Sequence, residues 1–220
     1  MIVASLRIYD GSHIDGSLFT TVTNFARDTA WLNTPAELWT NAGLGVFAIL
    51  VVLGWWNARH RDAKAMTLAL AAPVSILVAF AVAEVVKKLV AEVRPCYSIP
   101  HDYFVAACPA RSDYAFPSGH TSVAVAAIAA LYLLNRRLSA VAAVFALLEA
   151  FTRVYIGAHY PHDVLGSAVI ALPVAFLVSF VLGRTAVPLV VRLRNGILAP
   201  ALTTGQQAIA TTPPTPPDHK

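Results

Sequence analysis

Apolar residues gather in five long runs along this chain, at 37–56, 65–86, 120–134, 138–156 and 164–182. A helix needs roughly 20 apolar residues to cross the hydrocarbon core of a bilayer, because each residue rises about 1.5 Å. Each run therefore predicts one membrane span. The third is the shortest and reaches the interface only with its Ser- and Thr-bearing start, while Pro173 predicts a kink in the fifth. The pattern predicts an all-α integral membrane protein with five to six transmembrane helices.

Ahead of the first span, Leu18, Phe19, Val22, Phe25 and Ala26 recur at helical spacing, with Thr, Asn and Arg27 between them. This periodicity predicts an amphipathic N-terminal helix lying in the outer interface or, as the plainer alternative, packed on the spans. The apolar stretch within residues 1–10 is too short for a signal-peptide core and lacks a basic flank, so the N-terminus is expected to be retained. Towards the other end the chain becomes Thr-, Gln- and Pro-rich and closes on Pro213-Pro214-Thr215-Pro216-Pro217, too poor in apolar groups to pack. The expected organisation is an N-terminal segment over 1–35 with the interfacial helix, a transmembrane domain over 36–183, a basic cytoplasmic segment over 184–198 and a disordered tail over 199–220. Internal repeats are absent from the sequence.

Composition agrees with a bilayer: 57% of residues are hydrophobic, 13% are charged, and the mean hydropathy is +0.64. The net charge of +4 does not point to nucleic acid, because no dense Lys/Arg cluster is interleaved with aromatics. Instead the cations sort by loop. Arg59, Arg61 and Lys64 follow the first span, Arg136 and Arg137 the third, and Arg184, Arg192 and Arg194 the fifth. The positive-inside rule puts these connections and the C-terminus in the cytoplasm of a multi-pass plasma-membrane protein. The segment 94–117 and the turn 157–163 then face outside.

Those two outer segments carry the chemistry. Lys87 and Arg94 lie seven residues apart, about two helical turns, so both reach one point if the second helix runs on to Pro95, which ends it. A Lys point charge and an Arg fork suit an anion such as phosphate; the plainer reading makes Lys87 and Lys88 a snorkelling pair at a helix end. In Pro117-Ser118-Gly119-His120, Ser118 is a candidate N-cap. Free backbone N–H groups behind it make an anion site that Gly119 lets a ligand approach closely. His120 would stand beside the anion, placed to protonate a leaving oxygen. Alternatively, this is a plain Ser-capped helix with an interfacial histidine.

Arg153, His159, His162 and Asp163 form the third cluster. Ionisable residues so close to apolar spans are costly and usually functional. A histidine nitrogen can attack phosphorus when a carboxylate fixes its tautomer, and Asp163 is four residues from His159. Arg153 would stabilise the charge that builds on the phosphoryl oxygens. Glu149, one turn before Arg153, is a candidate to pair with it and orient it, and Glu84 stands likewise beside Lys87 and Lys88. On the residues alone, either His159 or His162 is a candidate nucleophile.

Taken together, Lys87-x6-Arg94-Pro95, Pro117-Ser118-Gly119-His120 and Arg153-x5-His159-x3-Asp163 resemble, in order and spacing, the signature of the type 2 phosphatidic acid phosphatase superfamily of membrane lipid phosphatases, over about residues 40–183. The one departure is Thr152 where the family usually has Ser, which retains the hydroxyl. The resemblance implies that His159 is the nucleophile, Asp163 its partner and His120 the general acid. It implies further that Lys87, Arg94, Ser118, Gly119 and Arg153 bind phosphate and that no metal or cofactor takes part; Thr152 and Glu149 are candidate supporting residues behind them. His162 becomes a packing residue.

The reaction implied is removal of phosphate from a lipid phosphate or diphosphate through a phosphohistidine. Relatives of the bacterial type act on undecaprenyl diphosphate, phosphatidylglycerophosphate, phosphatidate or other polyprenyl phosphates; an outer site favours a polyprenyl diphosphate of the cell-wall cycle. The implied partners are the lipid phosphate itself and membrane lipids. A phosphotransferase, or a lipid carrier or scramblase that keeps the pocket for binding, are the alternative readings. Vanadium-dependent haloperoxidases share the clusters, but the five spans argue against that soluble class. Cys96 and Cys108 flank the polar loop with His101, Asp102, Tyr103 and Phe104, which is expected to roof the site. No Cys/His metal spacing occurs, and the cysteines can pair as a disulfide if the loop lies outside the cytosol.

Overall fold

The structure, a computed structural model, describes residues 9–204. Its helices run in the order α1 (Ser12–Asp28), α2 (Asn33–Ala42), α3 (Leu44–Ala58), α4 (Ala63–Val90), α5 (Pro95–Ser98), α6 (Gly119–Leu134), α7 (Arg136–Tyr155), α8 (Pro161–Thr185), α9 (Val187–Arg194) and α10 (Ala199–Leu202), with a short 3₁₀ turn at Ala30–Leu32. The protein is all-helical among the described residues. α10 occupies the start of the stretch expected to be disordered. The expectations for residues 1–8 and 205–220 lie outside the described residues.

Each of the five apolar runs is helical. Three helices, α4, α7 and α8, are long and apolar enough to cross a membrane, and α2 with α3 makes a fourth if the pair, bent by 45°, counts as one span. The bend falls at Gly43, where an added Cβ would stand 2.6 Å from the Trp39 carbonyl oxygen. Helix α6, with 16 residues, is short of the span length. The sequence expectation of five to six spans therefore meets three or four that pass the length test, in a membrane protein.

Small residues explain how α6 sits at the centre. Ala124, Ala126, Ala127, Ala129 and Ala130 are buried on it, against Ala79 and Ala83 of α4 and Ala171 and Ala175 of α8. In lipid, helices associate by close packing and interhelical hydrogen bonds, which small side chains permit. Ser179 Oγ donates to Ser75 Oγ at 2.7 Å across the buried α4–α8 contact. Surrounded in this way, α6 needs no lipid-facing length of its own, and both ends are free to serve as polar platforms.

Caps set those ends. Asp62 accepts from the Ala65 N–H at 2.8 Å to open α4, and Asn135 closes α6 while its Oδ1 accepts from the Arg137 N–H at 2.9 Å to open α7. The basic connections meet at this end of the bundle. Arg61 donates to the Leu134 carbonyl, and Arg194 to the carbonyls of Ala58 and Arg61.

At the opposite end, α4 stops earlier than the sequence suggested. It ends at Val90, and Ala91 takes the left-handed conformation, with φ 52°. For a residue with a Cβ this is unfavourable by roughly 1–2 kcal/mol, and the segment is held there by a bridge between Tyr9 and Glu92. Arg94 thus comes from extended chain rather than from a second helical turn, and Pro95 opens α5 instead of closing α4. Helix α1 packs Phe19, Thr23 and Ala26 against α7 and α8, and leaves Ile14, Leu18 and Phe25 facing outwards.

Candidate active site

Four segments converge beyond this end of the bundle: the last turns of α4, the extended segment 91–94, the first turn of α6, and the turn from α7 into α8. With Asp113 from the loop before α6 they enclose a cavity of about 410 Å³ whose polar wall is Glu84, Lys87, Arg94, Asp113, His120, Arg153 and His159, with Gly119 beside them. Its remaining wall includes Leu44, Phe80 and Val123, so it opens from charged to apolar surface.

His159 is 1% exposed, and Nδ1 lies 3.2 Å from Asp163 Oδ2. The same carboxylate oxygen accepts the Tyr160 N–H at 2.8 Å, which fixes its direction as α8 begins. With Nδ1–H donating to the carboxylate, Nε2 carries the lone pair, and it accepts from Arg94 Nη1 at 2.8 Å. Burial first, then the charges of Arg94, Arg153 and Lys87, holds the His159 pKa well below the ordinary histidine value. The ring is therefore a neutral imidazole with its nucleophilic nitrogen turned to the cations.

Arg94 is held on every side. Its Nε donates to the Asp113 carbonyl at 3.0 Å and Nη1 to the Ala158 carbonyl at 2.8 Å, while Nη2 pairs with Asp113 Oδ1 at 2.9 Å. Lys87 pairs with Glu84 at 3.3 Å and stands 3.9 Å from Asp113. A carboxylate thus occupies the cation cradle, where an anionic ligand would sit. Arg153 Nη1 donates to Thr40 Oγ1 at 2.8 Å, and Thr40 donates onward to Glu149 Oε1 at 3.5 Å.

Ser118 N-caps α6, its Oγ accepting from the Thr121 N–H at 3.4 Å. Its backbone also ties α6 to α8: its N–H donates to the Asp163 carbonyl, and its own carbonyl accepts from Ser167 Oγ. The first-turn N–H groups of Gly119 and His120 have no intrahelical partner by the geometry of any helix start. A Cβ on Gly119 would lie 3.3 Å from Glu84 Oε1 and 3.7 Å from Lys87 Nζ, so glycine keeps this approach narrow but open.

The profile of the PAP2 superfamily matches residues 68–185, more than half of the chain and all three clusters from Lys87 to Asp163. The chain belongs to the PAP2 superfamily. Undecaprenyl-diphosphatase BcrC of Bacillus subtilis is 41% identical over 92 residues, 41% of this chain and 48% of the relative. The undecaprenyl-diphosphatase of Sulfolobus acidocaldarius is 29% identical over 105 residues, 47% of this chain and 50% of the relative. The chain spans about half the length of the curated relatives it matches. Among solved structures, Aquifex aeolicus LpxE superposes with a TM-score of 0.55 at 21% identity, over 75% of this chain and 94% of that one. A Bacillus subtilis PAP2-type phosphatidylglycerolphosphate phosphatase superposes with a TM-score of 0.55 at 24% identity, over 76% and 85%. These two likenesses establish the fold.

Within this PAP2 site the structure brings Lys87, Arg94, Gly119, His120, Arg153 and His159 around one cavity, with Asp163 behind His159. Ser118 is wholly buried and serves as the cap. Thr152 turns its hydroxyl back to the Glu149 carbonyl at 2.9 Å and lines a separate apolar groove with Trp39, Phe151 and Tyr155. Glu149 meets Arg153 through Thr40 rather than by the simple i,i+4 pairing of the sequence reading. His162 lies outside the cavity lining and bonds to Asp15 and Glu92.

Cys96 and Cys108 are joined as a disulfide. The loop they close is tied to the N-terminal helices: Thr20 Oγ1 donates to Asp102 Oδ2 at 2.6 Å, and Asn33 Nδ2 to the Tyr103 hydroxyl at 2.9 Å. Phe104 packs on Gly157, whose φ of +80° and tight contact both require glycine. Sequence reasoning missed Thr40, Asp113, Asp15 and Glu92. Only Glu92, a lone acid between an apolar helix and the Arg-Pro cluster, carried a signal that could have raised it.

Proposed function

We propose that this chain is a membrane lipid phosphatase that cleaves the terminal phosphate from a polyprenyl diphosphate, with undecaprenyl diphosphate as the preferred substrate. The observation that carries this reading is the neutral His159 ring, held by Asp163 on one nitrogen and turned on the other towards Lys87, Arg94 and Arg153. The two undecaprenyl-diphosphatases that share part of the sequence support the choice of lipid.

In the proposed reaction the terminal phosphate displaces Asp113 from the cations and receives charge-assisted bonds from Lys87, Arg94, Arg153 and the first-turn N–H groups of α6. His159 Nε2 then attacks phosphorus, and the bond from phosphorus to the bridging oxygen breaks. The lipid monophosphate leaves with a proton from His120. The same histidine next takes a proton from water, whose oxygen attacks the phosphohistidine and frees inorganic phosphate and His159. Asp163 steadies the positive ring between the two steps. The lipid chain extends along Leu44, Phe80 and Val123 towards the bilayer.

The short, enclosed α6 counts as a fifth span in this reading. The basic end faces the cytoplasm and the cavity faces outside, where a disulfide at 96–108 persists. Phosphate release by the purified enzyme from a panel of lipid monophosphates and diphosphates tests the substrate. Highest kcat/KM for undecaprenyl diphosphate is expected, and equal or greater turnover of phosphatidate or phosphatidylglycerophosphate would contradict it.

A further inference from the structure

His162 sits next to Asp163 in sequence but faces the other way, into a polar cluster behind the cavity. Its Nδ1 lies 2.7 Å from Asp15 Oδ1 and its Nε2 2.8 Å from Glu92 Oε1, while its backbone N–H donates to Asp15 Oδ2 at 2.7 Å. When both carboxylates are ionised they only accept, and two such bonds from one ring then need a proton on each nitrogen. The arrangement is that of an imidazolium gripped between two acids.

A third acid faces the same ring. Asp163 Oδ1 is buried without a hydrogen-bond partner and lies 3.6 Å from His162 Nε2. Its other oxygen is the one that meets His159. Glu92 is 0% exposed and also keeps one oxygen unpartnered. Two buried carboxylates side by side are each hard to ionise unless a cation stands with them. His162 is placed to be that cation.

The cluster is closed from above by the turn at Gly11 that leads into α1. A Cβ on Gly11 would collide with the Glu92 carboxylate and approach His162 Cε1 to 2.8 Å, so only glycine fits there. The Tyr160 and Phe116 rings stack on the imidazole, with centroids at 5.3 and 6.2 Å. The titratable groups that face His162 are thus Asp15 from α1, Glu92 from the segment after α4, and Asp163 and Tyr160 from its own end of α8. Asp163 is faced in addition by His159 and, across that ring, by the Arg94 guanidinium.

We propose that His162 is a positioning residue for the reaction: clamped as an imidazolium by Asp15 and Glu92, it supplies the charge that keeps Asp163 ionised and directed at His159. This rests on the roles given to His159 and Asp163 above. It makes the N-terminal helix part of the catalytic machinery, through the path Asp15, His162, Asp163, His159. The ligating atoms of Glu92, His162 and Asp163 lie within 4.8 Å of one another, a spacing that a divalent cation can also bridge. The hydrogen-bond distances to both ring nitrogens favour protons instead.

The test is steady-state kinetics of the full chain in detergent, with undecaprenyl diphosphate across pH. In His162→Gln, kcat at neutral pH is expected to fall about tenfold and the acid limb of its pH profile to move up by about one unit, with KM changed less than about twofold. Adding Glu92→Gln should move the limb back, because the neighbouring negative charge is removed. Asp15→Asn keeps an oxygen for Nδ1–H and should show the same displacement in smaller measure, even if His162→Gln fails to fold. Unchanged pH profiles in the variants that fold, with His159→Ala inactive, would overturn the proposal and leave the phosphohistidine reading standing. A fully active His159→Ala enzyme would overturn that reading itself. Loss of wild-type activity to EDTA, with recovery on adding a divalent cation, would also overturn the assignment of a proton.

Discussion

Arg94 Nη1 stands 2.8 Å from His159 Nε2, on the nitrogen that Asp163 leaves free to react. In the proposed reaction one guanidinium therefore both masks the resting nucleophile and lies where an entering phosphoryl group needs a cation. Arg94→Lys keeps the charge but loses the fork that binds Asp113, Ala158 and His159 together. Hydrogen bonds to charged groups are worth about 1.5–3 kcal/mol, so kcat/KM should fall roughly 10- to 100-fold. Kinetics of this variant with thermal unfolding alongside separates lost catalysis from lost folding.

Asp113 pairs with Arg94 and Lys87, the cations that the proposed reaction gives to the substrate phosphate. Its side chain is 48% exposed, so solvent screens the pair, which is worth no more than about 1 kcal/mol. Asp113→Asn should therefore strengthen inhibition by inorganic phosphate or vanadate by about two- to fivefold. Inhibition constants measured in both proteins check this. Weaker inhibition in the variant would mean that Asp113 helps to hold the anion.

The pH profile follows from the neutral His159. Since burial and three cations depress its pKa, the ring stays unprotonated as pH falls through the ordinary histidine value of about 6.5. Protonation of His159 should therefore limit activity only under more acidic conditions, below the limb set by loss of the Asp163 charge. Replacing Arg153 by Gln removes one of the three cations and should bring the His159 limit to higher pH, towards that limb. The acid limb of kcat/KM, recorded for both proteins, reads the shift and its sign.

How far the sequence foretold this site varies by residue. The apolar runs found their helices because span length alone identifies them, and the His159–Asp163 spacing was readable because four residues across a helix start bring the two side chains together. The break at Gly43 lay hidden inside a continuous apolar run. Arg94 was expected on a helix that stops at Val90, since the left-handed turn at Ala91 is held by Tyr9, far away in the chain. Asp113, Thr40 and Asp15 have no local pattern at all. They join the site through contacts with partners 19, 113 and 147 residues distant, which no window of sequence displays.

The disulfide offers a separate handle. It closes a loop with a sequence separation of 12 residues, for which chain-entropy arguments give a stabilisation of about 3 kcal/mol. The loop it closes lies between Arg94 and Asp113, and both cysteines line a neighbouring cavity with Arg94, Asp113 and Arg153. Cys96→Ser with Cys108→Ser should lower the thermal unfolding midpoint and raise KM more than it lowers kcat. Reductant should do the same to the native protein and nothing further to the variant.

The central claim is that phosphate passes through His159. Rapid quenching of the enzyme during turnover of undecaprenyl diphosphate, radiolabelled on the terminal phosphate, should leave label on the protein, stable to base and lost in acid. Peptide mapping should place it on His159, and His159→Ala should retain none. Label on His120 or His162, or full turnover by His159→Ala, would contradict the account.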